Sequence, residues 1–126
     1  VDDDYVIVFL DDDPNRAAVL HKRMSSKDVE HTIWVHNVEE TLDLLINYRE
    51  RIRYVSLDHD LGSETYVHSG REDCGMEVIR WLEKQSPLDY KDVVFVIHSW
   101  NIPAARKMAV RLIDKGYRVL QVPFGM

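Results

Sequence analysis

The chain has 126 residues, 45% hydrophobic and 30% charged, which fits one soluble domain with a core of its own. No apolar run approaches the roughly 20 residues of a membrane span, and a net charge of −6 with scattered basic residues excludes a broad face for duplex nucleic acid. The acidic start Val1-Asp2-Asp3-Asp4 reads as a solvated tail rather than a secretory signal, and lone Cys74 favours a reducing, cytoplasmic setting.

Tyr5–Leu10 is a short continuous apolar run, as expected of a strand buried on both faces. Asp13-Pro14 then reads as a helix start, a good N-cap followed by proline at the first helical position, with Ala17, Leu20 and Met24 forming the apolar stripe. Thr32–His36 is rich in strand-forming residues. Val38, Leu42, Leu45 and Ile46 recur at helical spacing and predict a second helix over residues 38–50. Arg53–Leu57 is the third strand. A polar loop follows from Asp60 to Cys74, carrying Gly62, His68 and Gly70. Gly75 opens a third helix, with Val78, Ile79 and Leu82 facing inward, that ends near Ser86-Pro87. Val93–Ile97 is the most hydrophobic strand. Pro103 opens a fourth helix with Ala105, Met108, Ala109 and Leu112 inward and Gly116 as its C-cap. Tyr117–Val122 closes the chain as a fifth strand.

Five strands alternating with four helices define a single α/β domain over residues 1–126, a doubly wound parallel sheet. Right-handed crossovers leave few topologies, and order 2-1-3-4-5 sets the first and third strands side by side. Their carboxyl ends are acidic: Asp11-Asp12-Asp13 closes the first, Asp58-His59-Asp60 the third, and His98-Ser99 follows the fourth. Carboxylates gathered at one edge repel unless a cation sits among them. Magnesium and manganese prefer oxygen ligands and take one or two carboxylates plus waters and substrate phosphate. Asp11, Asp12 and Asp58 supply that set, while Asp13 is better spent as the helix cap. Side chains alternate along an extended chain, so Asp58 and Asp60 face one side and His59 the other unless a turn intervenes. His98, beside the cluster, suits a general acid or base, because neighbouring charge moves an imidazole from its usual pKa near 6.5. Ser99 and Asn101 have donors for phosphate oxygens, although Asn101 equally suits the cap of the fourth helix. Arg16 and loop residue Arg71 are the cations nearest this edge. Trp100 is placed to stack on a base or simply to pack, and the sequence shows no histidine and aspartate arranged to serve Cys74 as a nucleophile.

From Val6 to Phe124 the chain resembles the response-regulator receiver family. Leu10–Pro14 is similar to the acidic pair that holds magnesium in receivers. Val55–Asp58 is similar to the strand presenting their phosphate-accepting aspartate. Ser99, or His98 in its place, stands near their hydroxyl residue after the fourth strand, and Val122-Pro123-Phe124 matches their closing Lys-Pro-Phe without the lysine. That lysine pairs with the phosphoryl group and couples it to a switch, and Val122 does neither. A final helix after the fifth strand is also absent. Leu-Asp-Asp-Asp, Leu57–Gly62 and His98-Ser99-Trp100-Asn101 together resemble the receiver subfamily assigned to cyclic-phosphate processing, associated with RNA end repair.

The resemblance implies a metal-dependent phosphoesterase using magnesium or manganese on a nucleotide or RNA terminal phosphate, with 2′,3′-cyclic phosphates as the implied substrate. Its implied site is Asp58, His59 and His98 for catalysis, Asp11, Asp12, Asp58 and Asp60 for metal, and Ser99, Asn101, Arg71 and Arg16 for phosphate. His98 or His59 would protonate the departing ribose oxygen. Water attacks phosphorus directly, or Asp58 attacks first, as in receivers. The competing readings are a phospho-accepting or degenerate receiver in signalling, and a pseudo-receiver holding a structural cation.

Overall fold

The structure, a computed structural model, describes residues 4–61, 68, 70–99 and 101–122. Five strands, β1 (Val6–Leu10), β2 (Thr32–Val35), β3 (Ile52–Leu57), β4 (Val94–Ile97) and β5 (Arg118–Gln121), form one all-parallel sheet in the order β2-β1-β3-β4-β5. Among the described residues five helices connect them: α1 (Pro14–Arg23), α2 (Ser26–Glu30), α3 (Val38–Asn47), α4 (Met76–Glu83) and α5 (Ile102–Lys115), with a 3₁₀ turn at Pro87–Tyr90. The order and the parallel sense are those the sequence predicts.

Short polar residues set the helix starts. The Asp13 carboxylate accepts from the Asn15 N–H at 2.8 Å, with Pro14 opening α1. Asn37 caps α3 by accepting from Glu40 N–H at 2.9 Å. Asn101 caps α5 through Ala104 N–H at 3.3 Å. Gly116 ends α5 at φ 105°, a left-handed conformation that disfavours any side chain. The sequence reading misses α2. That helix has only five residues and buries no side chain, so it leaves no apolar stripe; its one signal is Ser25, which accepts from Asp28 N–H at 3.1 Å.

The parallel register assigns the two faces. Val8, Val55 and Phe95 are aligned, as are Leu10, Leu57 and Ile97, and all six are buried beneath α3, α4 and α5 with Leu45, Ile79, Leu82, Met108 and Leu112. On the other face Phe9 packs with Ala17, Leu20 and Trp34 under α1. Towards β5 that face opens, leaving Tyr54 46% and Leu120 55% exposed. Among the described residues no helix follows β5, and none is long and apolar enough to cross a membrane. Pro123-Phe124, residues 62–67 of the polar loop and Trp100 lie outside the described residues.

Two buried tyrosines tie the sheet-covering layer together. The Tyr117 hydroxyl donates to the Leu82 carbonyl at 2.7 Å and Tyr90 donates to the Leu45 carbonyl at 3.1 Å. Burial pushes the Tyr117 phenol up to about 12. Tyr117→Phe leaves the Leu82 carbonyl without this donor and is expected to cost about 1 kcal/mol, read as a lower urea midpoint with unchanged slope.

Candidate metal and phosphate site

The sheet register itself assembles the site. Beyond the paired ends Leu10, Leu57 and Ile97, the ladder continues for one residue: Asp58 N–H donates to the Leu10 carbonyl and His98 N–H to the Leu57 carbonyl, both at 3.0 Å. Asp11, Asp58 and His98 therefore stand abreast at one edge. Tyrosines apart, eight polar or charged side chains are buried among the described residues, and all but Thr41 lie at this edge. Elsewhere among the described residues the buried polar side chains are uncharged, Thr41 and the tyrosines Tyr90 and Tyr117, so the edge is where the fold accepts the cost of desolvating charge.

Oxygens of Asp11, Asp12 and Asp58 lie within 4.8 Å of one another. Arg16, projecting from the first turn of α1, reaches over them. Its Nε donates to Asp11 Oδ2 at 2.7 Å, and its Nη2 to Asp11 Oδ1 at 2.9 Å and to Asp58 Oδ2 at 3.0 Å. Asp11 also accepts from Asp13 N–H at 2.8 Å and from His98 Nε2 at 3.0 Å. Burial alone raises the Asp11 carboxyl, but the hydrogen bonds from His98 and Arg16 outweigh it and hold the group below the usual carboxylate range. Asp58 is the opposite case. Burial, then the charge of Asp11, push it up to about 8, against the pull of Arg16 and a hydrogen bond with Ser99. Asp58 thus keeps its proton at neutral pH because a second negative charge has nowhere to go. An all-oxygen trio with one such carboxyl fits a hard divalent cation, which would take the proton's place. Asp11, Asp12 and Asp58 are the residues that would hold it.

The two histidines are positioned more tightly than sequence suggests. His98 turns to the α1 side of the sheet, where its ring stacks on Phe9 at 4.7 Å between centroids. Its Nδ1 accepts from Ser56 Oγ at 2.6 Å while Nε2–H donates to Asp11. Burial dominates and lowers its pKa, so the ring is neutral with both nitrogens engaged. His59 turns away from the trio, as strand alternation requires. Asp60 does not alternate back. A bend at His59 leaves its carboxylate on His59 Nδ1 at 2.7 Å and on Asn101 Nδ2 at 3.2 Å, rather than with Asp11 and Asp12. The His59 ring also hydrogen-bonds Cys74; burial opposes its charge, but Cys74 and Asp60 together raise its pKa. A histidine and an aspartate thus do serve Cys74, correcting the sequence expectation, because the loop returns to the strand end across a separation that local pattern does not reveal.

The remaining candidates divide clearly. Asn101 caps α5, one of the two roles weighed for it, and its amide also donates to Asp60. Ser99 accepts from Asn101 N–H at 3.1 Å and meets Asp58. Arg71 is exposed and paired with Asp73 at 2.6 Å. Ser56 and Trp34 are the site residues that sequence reading missed. Ser56 lies on β3 two positions before Asp58, a signal available in principle. Trp34 donates Nε1–H to the Asp11 carbonyl at 2.5 Å from β2, and no local pattern marks it.

Gly75 fixes the loop's return. Its N–H donates to the His59 carbonyl at 2.8 Å, and a Cβ there would lie 1.9 Å from the Asp58 carbonyl oxygen. Backbone blocks that position, so only glycine permits the approach.

A parallel sheet in this order, with an acidic pair after the first strand and a buried aspartate after the third, defines a receiver domain. The family model described as the cyclic-phosphate processing Receiver domain matches residues 6–114, and the chain belongs to that family. No curated protein is significantly similar. Among solved structures, the chain is similar to the signal receiver domain of a protein described as a Luxo repressor from Vibrio parahaemolyticus. That likeness has 18% identity and a TM-score of 0.55, and covers 96% of this chain and 81% of that one. It is also similar to a response regulator from Burkholderia pseudomallei, whose structure holds a phosphorylated aspartic acid, a calcium ion and citrate. Here identity is 21% and the TM-score 0.55, over 95% of this chain and 61% of that one.

Two outcomes follow from the site's geometry. Because the folded Asp58 pKa is raised, its contribution to stability is full below the unfolded value near 3.8 and is lost as pH rises to about 8. Without divalent ions, Asp58→Asn should melt about 5 °C above the parent at pH 8, and the gain should shrink towards pH 4 in circular dichroism melts. Gly75→Ala should cost about 3 kcal/mol or more by the same measurement.

Proposed function

We propose that this domain is a metal-dependent phosphoesterase acting on nucleotide or RNA-end phosphoesters, with 2′,3′-cyclic phosphates as the substrate class. The observation that carries the reading is the oxygen-only trio of Asp11, Asp12 and Asp58, whose carboxylate oxygens lie within 4.8 Å of one another, in a chain of a family described by cyclic-phosphate processing. When bound, magnesium or manganese would polarise a phosphoryl oxygen and acidify a bound water. The protein's own groups do the rest. Asp11 and Asp12 hold the charge at the edge, with His98, Ser56 and Phe9 fixing Asp11 in place. Arg16 already spans Asp11 and Asp58, and its guanidinium is the nearest donor for equatorial phosphoryl oxygens once Asp58 is engaged elsewhere. Ser99, beside Asp58, supplies a hydroxyl for the same oxygens. Hydrolysis adds one water across a P–O bond, giving a phosphomonoester and a free ribose hydroxyl that takes a proton. His98 and His59 support this by orienting Asp11 and Asp60, since their ring contacts are committed there.

A second reading is a phospho-accepting receiver, in which Asp58 takes a phosphoryl group and keeps it. The fold likeness and the Asp58–Ser99 contact back it more directly than they back hydrolysis. Val122, 45% exposed after β5, is not a side chain that can pair with phosphate, which weighs against a switch of the receiver type.

Incubation with a nucleoside 2′,3′-cyclic phosphate and either metal, followed by phosphorus NMR, separates the two. Hydrolysis is expected to give a monoester, fall by about two orders of magnitude or more in Asp58→Asn, and stop on chelation. Absence of turnover with both metals, together with stable gain of one phosphoryl group from acetyl phosphate, would replace it with the receiver reading.

A further inference from the structure

A groove of about 770 Å³ runs between α4 and α5, outside the carboxylate site. Its floor is apolar, with Met76, Pro103 and Val110, and its walls are basic. Arg106 and Lys107 are exposed and make no ion pair among the described residues. Arg80 and Arg111 line it too, each already paired, with Glu77 and Glu83 respectively. None of the described lining residues is acidic, so the groove keeps a positive excess in a chain whose net charge is −6. Both helices begin at the site edge. Ile102 follows Asn101 directly, and Met76 follows Gly75, which is bonded to the His59 carbonyl. One end of the groove, at Met76 and Pro103, therefore lies at the helix starts that are tied to the end of β3 through His59 and Asp60, and the other lies near Arg111.

Resting on the phosphoesterase reading, we propose that this groove holds the single-stranded RNA that leads to the terminal phosphate. The flanking cations follow the phosphates, the flat Arg106 guanidinium stacks on a base of any identity, and the aliphatic floor contacts bases without reading them, a combination suited to a single strand without sequence preference. An acidic peptide would match the charge but would leave the continuity with a phosphate-handling edge unexplained. From Ile102 to Arg111 the helix rises about 14 Å, enough for a few nucleotides.

The test is fluorescence anisotropy with a labelled oligouridylate ending in a 3′-phosphate, at low and moderate salt. Arg106→Glu with Lys107→Glu should weaken binding about tenfold or more and flatten its salt dependence. A charge-matched control on the opposite edge, Lys22→Glu with Lys91→Glu, should change it less than twofold. Should the reversed pair fail to fold by circular dichroism, Arg106→Gln with Lys107→Gln should still weaken binding about threefold. The proposal is overturned if the groove and control variants behave alike, or if polyglutamate competes as well as RNA, which would make the groove a peptide site. Turnover of the nucleoside cyclic phosphate is scored separately. Its absence sinks the phosphoesterase reading, whereas loss of RNA discrimination sinks the groove.

Discussion

Parallel register is the constraint from which the rest follows. Pairing Leu10, Leu57 and Ile97 places Asp11, Asp58 and His98 side by side one residue later, with no freedom to separate them. Like charges so placed cannot all ionise. The protein resolves the conflict in three ways at once: Arg16 bridges Asp11 and Asp58, four hydrogen bonds secure Asp11 as the anion, and Asp58 keeps its proton. What looks like a crowded cluster is an ordered division of charge.

Around that division a second polar network holds the loop that leaves β3. His59, Asp60, Asn101 and Cys74 join the end of β3 to the starts of α4 and α5, and Gly75 lets the backbones meet. Every member is buried, so each requires its partner, and the arrangement tolerates few alternatives. The N-termini that border the groove are thereby fixed relative to the carboxylates.

The fold was legible because its signals are local. Apolar runs of strand length, Asp13-Pro14 at the start of α1 and Gly116 after α5 mark the element boundaries within a few residues. Asp11, Asp12 and Asp58 were legible for the same reason, since a residue after each strand must sit at the sheet edge. Side-chain direction was less so. Alternation places His59 correctly and misplaces Asp60, because one bend cancels the period of two. The contact between Cys74 and His59, the Trp34 bond to Asp11 and the Ser56 bond to His98 depend on tertiary approach, for which spacing along the chain carries no information.

Arg16 has a consequence for how the domain is maintained. Many small metal-binding domains are unfolded until the ion arrives, since nothing else offsets their ligands. Here a guanidinium built into α1 already sits among the carboxylates, and the sheet and both polar networks are complete with it in place. The carboxylates thus draw their countercharge from within the chain, from the same helix whose start Asp13 caps, so one short element both closes the strand end and balances the charge that the sheet gathers there.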